Sequence, residues 1–205
     1  MPGEAMTATR HLDLLAWFAR QALAWGVITL VTILGPPALS QPPVTSLLGS
    51  LNLSGYPPGE RPPEFSSRTA TGKTVSLAGL RGRVVLLTFW TTWCTECRPE
   101  MPIFEQLHRD FAAEGLTVLG INVREGAPII QTYAKELDLT FPLLPDPKGE
   151  IQTLYGVIGL PTTFLIGRDG RAVALAVGPR EWRSPPAQAI IEALLAEPTA
   201  RKEAG

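Results

Sequence analysis

Two cysteines, Cys94 and Cys97, are the residues of this sequence whose type and spacing could do chemistry. They are the only cysteines among 205 residues, and two positions separate them. A bridge between them would close a very short loop, so in the chain-entropy account it would constrain the unfolded chain little. Because such a bridge is a poor structural staple, the spacing favours reversible thiol–disulfide exchange as the function of the pair.

A metal site is the weaker interpretation, since four-ligand zinc sites usually draw on a second pair of Cys or His residues. The only histidines are His11, in the N-terminal region, and His108, alone on a predicted helix. Soft thiolates favour Cu(I), so a non-enzymatic Cu(I) carrier stays an alternative, although no Met-rich or His-rich segment accompanies the cysteines. We expect neither a bound metal nor a cofactor.

The elements around the cysteines indicate how they would be activated. Val84–Trp90 is a β-branched and aromatic run that predicts a buried strand. Apolar residues at spacings of three and four predict a helix from Cys94 to Glu114. Cys94 would then open a helix, where unpaired N–H groups and the helix dipole favour the thiolate. Cys94 is therefore the predicted nucleophile, and Cys97, nearly one turn later, would resolve the mixed disulfide.

The remaining pattern alternates between strands and helices. A β-α-β unit followed by a hairpin and a helix predicts an α/β fold, in which helices cover both faces of a mixed central sheet. The other predicted elements are a strand at Leu116–Val123, helices at Pro128–Leu137 and Lys148–Tyr155, hairpin strands at Thr162–Ile166 and Ala172–Val177, and a last helix from Pro185 to about Ala196, capped by Ser184.

The N-terminal region, residues 1–40, has the pattern of a signal peptide or a membrane anchor. An apolar run from Ala22 to Leu34 follows Arg20 and has the length of a signal-peptide core. The uncharged stretch from Gln21 to Leu39 could also span a bilayer as an uncleaved anchor. We therefore expect an exported or inner-membrane-anchored protein, with its catalytic domain on the periplasmic side.

Composition divides the rest of the chain. Residues 41–63 are rich in proline, serine and glycine, which predicts a spacer between the membrane and the domain. The domain itself is expected at residues 64–197, followed by a C-terminal tail at residues 198–205. The formal net charge is −1, and acidic and basic residues are interspersed, so nucleic acid is excluded as a partner.

Three segments resemble one protein family. Phe89–Pro102, with the sequence FWTTWCTECRPEMP, resembles the active-site segment of thioredoxin-fold proteins. It is most similar to the membrane-anchored TlpA/ResA type, which reduces disulfides outside the cytoplasmic membrane. Leu160–Ile166 matches the cis-proline loop of that family, and Gly178–Trp182 is close to a segment common near its C-terminus. The resemblance covers roughly residues 62 to 196 and implies a thioredoxin-like fold.

The resemblance also implies roles for individual residues. Pro161 would follow a cis peptide bond, and the backbone at Pro161 and Thr162 would receive the client chain as an added strand. From the residues alone, an ordinary trans proline is the alternative. Trp93 would contact the client beside the reactive sulfur. Glu125 would transfer a proton to or from Cys97, and the alternative for it is a solvated loop glutamate.

One position departs from the family. Many relatives carry proline immediately before the second cysteine, whereas this chain has Glu96. A carboxylate there opposes thiolate formation at either cysteine, which destabilises the reduced form and makes the pair more reducing. We therefore expect a reduction potential nearer about −270 mV than about −120 mV.

The family suggests clients and a reductant. Apoproteins of cytochrome c maturation, or copper-site proteins of a terminal oxidase, would be the exported clients with disulfides, and a membrane electron-transfer protein would re-reduce the pair. A peroxiredoxin-like thiol peroxidase is the alternative on the same fold. Thr91 and Cys94 supply part of its P-x-x-x-T-x-x-C pattern, but Leu87 occupies the proline position.

Overall fold

The computed structural model describes residues 44–198. The predicted signal peptide or anchor at residues 1–40, and all but the first residue of the predicted tail, lie outside this part. Among residues 44–198, none of the helices has both the length and the apolar character that a membrane span needs.

Within the described residues, two β-sheets and five α-helices form the domain. The strands are β1 (Ser54–Gly55), β2 (Ser66–Arg68), β3 (Thr74–Ser76), β4 (Val84–Trp90), β5 (Leu116–Val123), β6 (Leu143–Asp146), β7 (Thr162–Ile166) and β8 (Ala172–Val177). The helices are α1 (Val44–Leu47), α2 (Glu100–Phe111), α3 (Ala127–Glu136), α4 (Glu150–Leu154) and α5 (Pro185–Ala196), with short 3-10 helices at Leu48–Leu51 and Ala78–Leu80.

The main sheet has six strands in the order β1-β8-β7-β4-β5-β6, and β2 and β3 form a separate hairpin. β4 runs parallel to β5 and antiparallel to β7. β6 continues the parallel side, while β8 and β1 continue the antiparallel side. This arrangement is the predicted mixed sheet.

The core lies on both faces of this sheet, because every residue of β4 and β5 is buried. Neighbouring residues of a strand point to opposite faces. Leu86 accordingly packs in one apolar cluster with Phe104 of α2 and Ile190 of α5. Leu87 packs in a second cluster, against which Ile151 of α4 lies. Helices on both faces confirm the predicted architecture.

The predicted strands at β4, β5, β7 and β8 have the observed bounds, and α5 begins and ends as expected. The expected cap is wrong in one respect. Ser184 lies at the N-cap, but its hydroxyl makes no cap hydrogen bond. Pro186, at the second helical position, has no N–H, which removes one of the two usual donors to an N-cap hydroxyl.

The structure describes residues 44–63 of the predicted spacer, and part of this segment is packed into the domain. Val44, Leu48, Leu51 and Leu53 are buried and belong to the core. β1 pairs with β8, and the N–H of Tyr56 donates to the carbonyl of Val173 at 2.9 Å. Burial of these apolar side chains outweighs the flexible composition of the segment. The packed domain therefore begins before the predicted boundary at residue 64.

Candidate active site

Cys94 and Cys97 are joined in a disulfide that follows the end of β4. The sulfur atoms are 2.06 Å apart and the Cα atoms 5.2 Å apart. Cys94 keeps 8% of its surface exposed, whereas Cys97 keeps 1%. The more exposed cysteine is thus the one predicted to attack the client, and the less exposed one is the one predicted to resolve the exchange.

The expected helix start at Cys94 is wrong, because α2 begins at Glu100. Residues 94–99 form successive turns instead. The N–H of Arg98 donates to the carbonyl of Cys94 at 3.2 Å, but Pro99 and Pro102 lack the N–H groups that would continue this pattern, so regular α-helical bonding does not extend from the cysteines into α2. Within the turns, the N–H of Cys97 points at Sγ of Cys94 over 3.2 Å. The N–H of Cys97, and not an N–H at the start of α2, is therefore the nearby hydrogen-bond donor for a thiolate at Cys94.

Glu125 lies in the loop after β5 and contacts the loop before the cysteines. Its Oε2 accepts hydrogen bonds from the N–H of Thr92 and from Nδ2 of Asn122, both at 2.8 Å. Its Oε1 accepts one from the hydroxyl of Thr92 at 2.5 Å. Glu125 is therefore a half-buried, bonded carboxylate, and its hydrogen-bond partners within residues 44–198 are Thr92 and Asn122. It is joined to the cysteine loop through Thr92.

The structure adds a second acid, Glu100, which the sequence interpretation missed. It is only 3% exposed, and its N–H donates to the carbonyl of Cys97 at 3.0 Å. Its Oε1 accepts hydrogen bonds from the N–H of Arg180 at 2.8 Å and from Nε1–H of Trp182 at 2.7 Å. Its Oε2 is buried without a hydrogen-bond partner among residues 44–198.

Burial raises the pKa of Glu100 to about 7, even though the hydrogen bonds from Arg180 and Trp182 act in the opposite direction. A carboxyl group with such a pKa can take up and release a proton near neutral pH. The helix dipole stabilises solvated acidic residues in the first turn of many helices, so the position of Glu100 in the sequence does not by itself indicate a buried acid. The sequence feature that could have indicated the site is the segment Gly178–Trp182, because it supplies both hydrogen-bond donors to Glu100.

A groove of about 440 Å³ lies beside the cysteine turn, and this acid is one of its lining residues. Thr95, Glu96 and Pro99 line it from the turn, together with Glu100. The 179–181 segment lines the other side. A client residue next to a reacting cysteine could enter this groove.

The predicted client-binding residues lie at the same end of the sheet as the cysteines. The peptide bond between Leu160 and Pro161 is cis, as expected. Thr162 pairs with Phe89 at the end of β4, which brings the cis-proline loop to the end of the strand that leads to Cys94. Thr162 is buried, and its hydroxyl donates to the carbonyl of Gly159 at 2.7 Å. Trp93 is 72% exposed and offers a flat apolar surface beside Cys94.

Within residues 44–198, no group of three or more His, Cys, Asp or Glu side chains is arranged to hold a metal ion. His108 lies in the last turn of α2, with its ring 6.3 Å from that of Phe141. Burial lowers the pKa of His108. It belongs to the packing around α2 and not to the cysteine site.

Comparison with known proteins gives a consistent result. A thiol-disulfide oxidoreductase ResA of Bacillus thuringiensis subsp. konkukian is 36% identical over 115 residues, which are 56% of this chain and 66% of that protein. The thioredoxin-like protein YneN of Bacillus subtilis is 38% identical over 127 residues, which are 60% of this chain and 74% of that protein. A thiol:disulfide interchange protein of the thioredoxin family from Chlorobium tepidum has a solved structure with a TM-score of 0.58. It is 32% identical, and the match covers 66% of this chain and 95% of that one.

These relatives confirm the expected likeness to thioredoxin-like thiol–disulfide oxidoreductases of the ResA type. The chain spans just under two thirds of the length of the Bacillus thuringiensis protein. The model of the AhpC/TSA family matches residues 58–174, which is more than half of the chain. The chain therefore belongs to the AhpC/TSA family.

Proposed function

We propose that this protein reduces disulfides of exported client proteins, with Cys94 as the nucleophile and Cys97 as the resolving cysteine. The observation that carries the proposal is the disulfide between the chain's two cysteines, in which Cys94 is the more exposed partner. The relatives named thiol-disulfide oxidoreductase support the same chemistry.

The exchange takes two steps. The Cys94 thiolate attacks one sulfur of the client disulfide, so a mixed disulfide forms, the client bond breaks and the leaving client sulfur takes up a proton. The Cys97 thiolate then attacks the sulfur of Cys94, which forms the Cys94–Cys97 bond and releases the second client sulfur as a thiol. Two electrons and two protons pass from the dithiol to the client. The disulfide form of the site is the product of this sequence.

The second step needs a group that accepts the proton of Cys97. Glu100 follows Cys97 by three residues, and its pKa of about 7 suits a proton acceptor near neutral pH. We also propose Glu125 for proton transfer at Cys97, supported by its contact with Thr92 in the loop before the cysteines. The two acids approach the cysteine turn from different elements, so their contributions can be separated by substitution.

We further propose that the client chain lies along the backbone at Pro161 and Thr162, as an added strand, and contacts Trp93. Exposed apolar side chains beside this loop support that surface, since Ile158 is 99% exposed and Val177 is 56% exposed. The family resemblance suggests apoproteins of cytochrome c maturation or copper-site proteins as clients, and a membrane electron-transfer protein as the reductant. The apolar run at Ala22–Leu34 supports a periplasmic, membrane-anchored or exported location.

The exchange mechanism is tested by trapping. With a disulfide-containing client, the Cys97→Ser variant should accumulate a mixed disulfide at Cys94, because nothing resolves it. The Cys94→Ser variant is the matched control and should accumulate none. If both variants trap the client equally, the assigned roles of the cysteines are wrong.

The direction of electron flow is tested by equilibration with glutathione, where we expect a potential near about −270 mV. A value above about −180 mV would overturn the reductase proposal. Hydrogen peroxide with a thiol donor tests the peroxidase alternative. Rapid peroxide turnover that depends on Cys94 would favour the peroxiredoxin chemistry instead.

A further inference from the structure

The segment Gly178–Trp182 stands out in the sequence, yet the exchange steps give it no role. In the fold it lies against the first turn of α2. The N–H of Arg180 and Nε1–H of Trp182 both donate to the same oxygen, Oε1 of Glu100. Trp182 is 1% exposed, and its ring lies 5.7 Å from that of Phe104. The indole is thus held by packing, and its N–H has a fixed direction.

The side chain of Arg180 is fixed from a third part of the chain. Its Nε donates to the carbonyl of Leu51 and its Nη2 to the carbonyl of Asn52, each at 2.9 Å. Residues 48–52, called here the N-terminal turn, are anchored in turn by buried Leu48 and Leu51. Through Arg180, the N-terminal turn fixes the backbone N–H that meets Glu100.

The two carboxyl oxygens of Glu100 differ in their hydrogen-bond partners. Oε1 accepts two hydrogen bonds, whereas Oε2 is buried and has no partner among residues 44–198. Glu100 also lines the groove beside the cysteine turn. An oxygen that already accepts two hydrogen bonds cannot readily take a proton, so protonation is directed to Oε2.

We propose that Arg180 and Trp182 are positioning residues for Glu100, which hold Oε1 and thereby leave Oε2 as the oxygen that exchanges a proton with the cysteine site. The inference rests on the proposed role of Glu100 as a proton acceptor. It gives Gly178–Trp182 a function in the exchange, and it makes the N-terminal turn part of the same assembly.

The charges around Glu100 set the sign of the expected effects. Arg180 is the neighbouring positive charge, and Glu181 is a negative charge on the same segment. Glu96 lines the same groove. Cys94 and Cys97 are joined in a disulfide in the adjoining turn, so they do not titrate in the oxidised protein. Hydrogen bonds to a carboxylate favour its charged form, so loss of the Trp182 donor should raise the pKa of Glu100 further.

The test is a titration of Glu100 in the full-length oxidised protein, followed through its side-chain carboxyl carbon by NMR. The Trp182→Phe variant should raise the titration midpoint by roughly one to two pH units, the size expected for one hydrogen bond to a charged group. Trp90→Phe is the matched control. It also removes a buried indole, but Nε1 of Trp90 has no partner among residues 44–198, so the midpoint should stay unchanged. A Trp182→Phe midpoint equal to that of the wild type would overturn the proposal.

A second variant keeps the test decisive if Trp182→Phe fails to fold. Arg180→Met retains the backbone donor but loses the positive charge and the bonds to the N-terminal turn, so it should also raise the midpoint. Arg183→Met is its control, because Arg183 pairs with Asp110 and Gln106 on the exposed face of α2. Equal midpoints in Arg180→Met and Arg183→Met would overturn the role of Arg180.

The same variants separate this inference from the proposed function, because the titration needs no activity. If Trp182→Phe moves the Glu100 midpoint and the pH profile of client reduction by the same amount, both proposals are supported. If it moves the midpoint but not the profile, the positioning role stands and the proton-acceptor role of Glu100 falls.

Discussion

The carboxylate of Glu125 accepts hydrogen bonds from both the backbone N–H and the hydroxyl of Thr92, at 2.8 Å and 2.5 Å. Thr92 lies two residues before Cys94, and Glu125 follows β5. The pair therefore joins the loop after β5 to the loop that leads to Cys94. Glu125 has a structural contribution here, whether or not it also transfers a proton.

Glu125→Gln separates the two contributions. An amide cannot accept as strongly at both positions, so we expect a loss of about 1 to 2 kcal/mol in the free energy of unfolding, measured in urea. Thr92→Val is the matched control, because it removes the hydroxyl donor but keeps the N–H. If Glu125 also serves Cys97, Glu125→Gln alone should change the pH profile of thiol exchange. A profile identical to that of the wild type would rule out the proton-transfer role.

Glu100 should make stability depend on pH in an unusual direction for an acid. Its pKa in the folded protein, about 7, lies above the ordinary value of 4.5, so the folded state binds more protons between these values. Stability is then fully present below about pH 4.5 and is lost as the pH rises through about 7.

The Glu100→Gln variant should lack this pH-dependent loss, which is on the order of 3 kcal/mol between those two pH values. Urea unfolding of the oxidised proteins across this range measures it, since the disulfide keeps the cysteines from titrating. Parallel stability curves for the variant and the wild type would show that Glu100 does not titrate near neutral pH.

Glu96 should make the cysteine pair more reducing. Its side chain is exposed and lines the groove next to the cysteine turn. Glu96→Gln removes a negative charge near the thiolates, which stabilises the reduced form, so the reduction potential should rise. We expect a rise of no more than about 20 mV, because exposed charges interact weakly in water. Glutathione equilibration measures it, and Glu114→Gln, in the turn that follows α2, should leave the potential unchanged. A fall in potential would contradict the electrostatic argument.

The N-terminal turn should contribute to stability as a core element does. Leu51 is 6% exposed, and Leu51→Ala should lower the free energy of unfolding by roughly 2 to 4 kcal/mol. Leu154→Ala makes the same chemical change at a residue that is 51% exposed, so it should have a much smaller effect. Denaturant unfolding compares the two variants. Equal, small losses would mean that residues 48–52 behave as the spacer their composition suggests.

The parts of this protein that could be predicted are those encoded locally. β4 and β5 are rich in apolar and β-branched residues, so their bounds follow from the pattern. The redox pair follows from the spacing of Cys94 and Cys97. The start of α2 could be misplaced because helical periodicity does not register the N–H groups that Pro99 and Pro102 lack.

Long-range contacts account for what the sequence did not reveal. Glu100 becomes a buried acid only because Trp182 reaches it from 82 positions along the chain. The N-terminal turn has a composition typical of spacers, and its burial depends on the domain it packs against. A carboxyl group with a shifted pKa and a leucine in a proline-rich stretch are defined by their surroundings, which local patterns do not contain.

The two residues of β1 have a consequence for how the domain can be handled. Ser54 and Gly55 pair with Leu175 and Ala174 of β8, a strand made only of alanine, valine and leucine. Unpaired apolar edge strands attract edges of other molecules and promote aggregation. A fragment cut at residue 64 would uncover this edge and tend to aggregate, whereas one that keeps residues 44–63 would keep the edge occupied by its own chain.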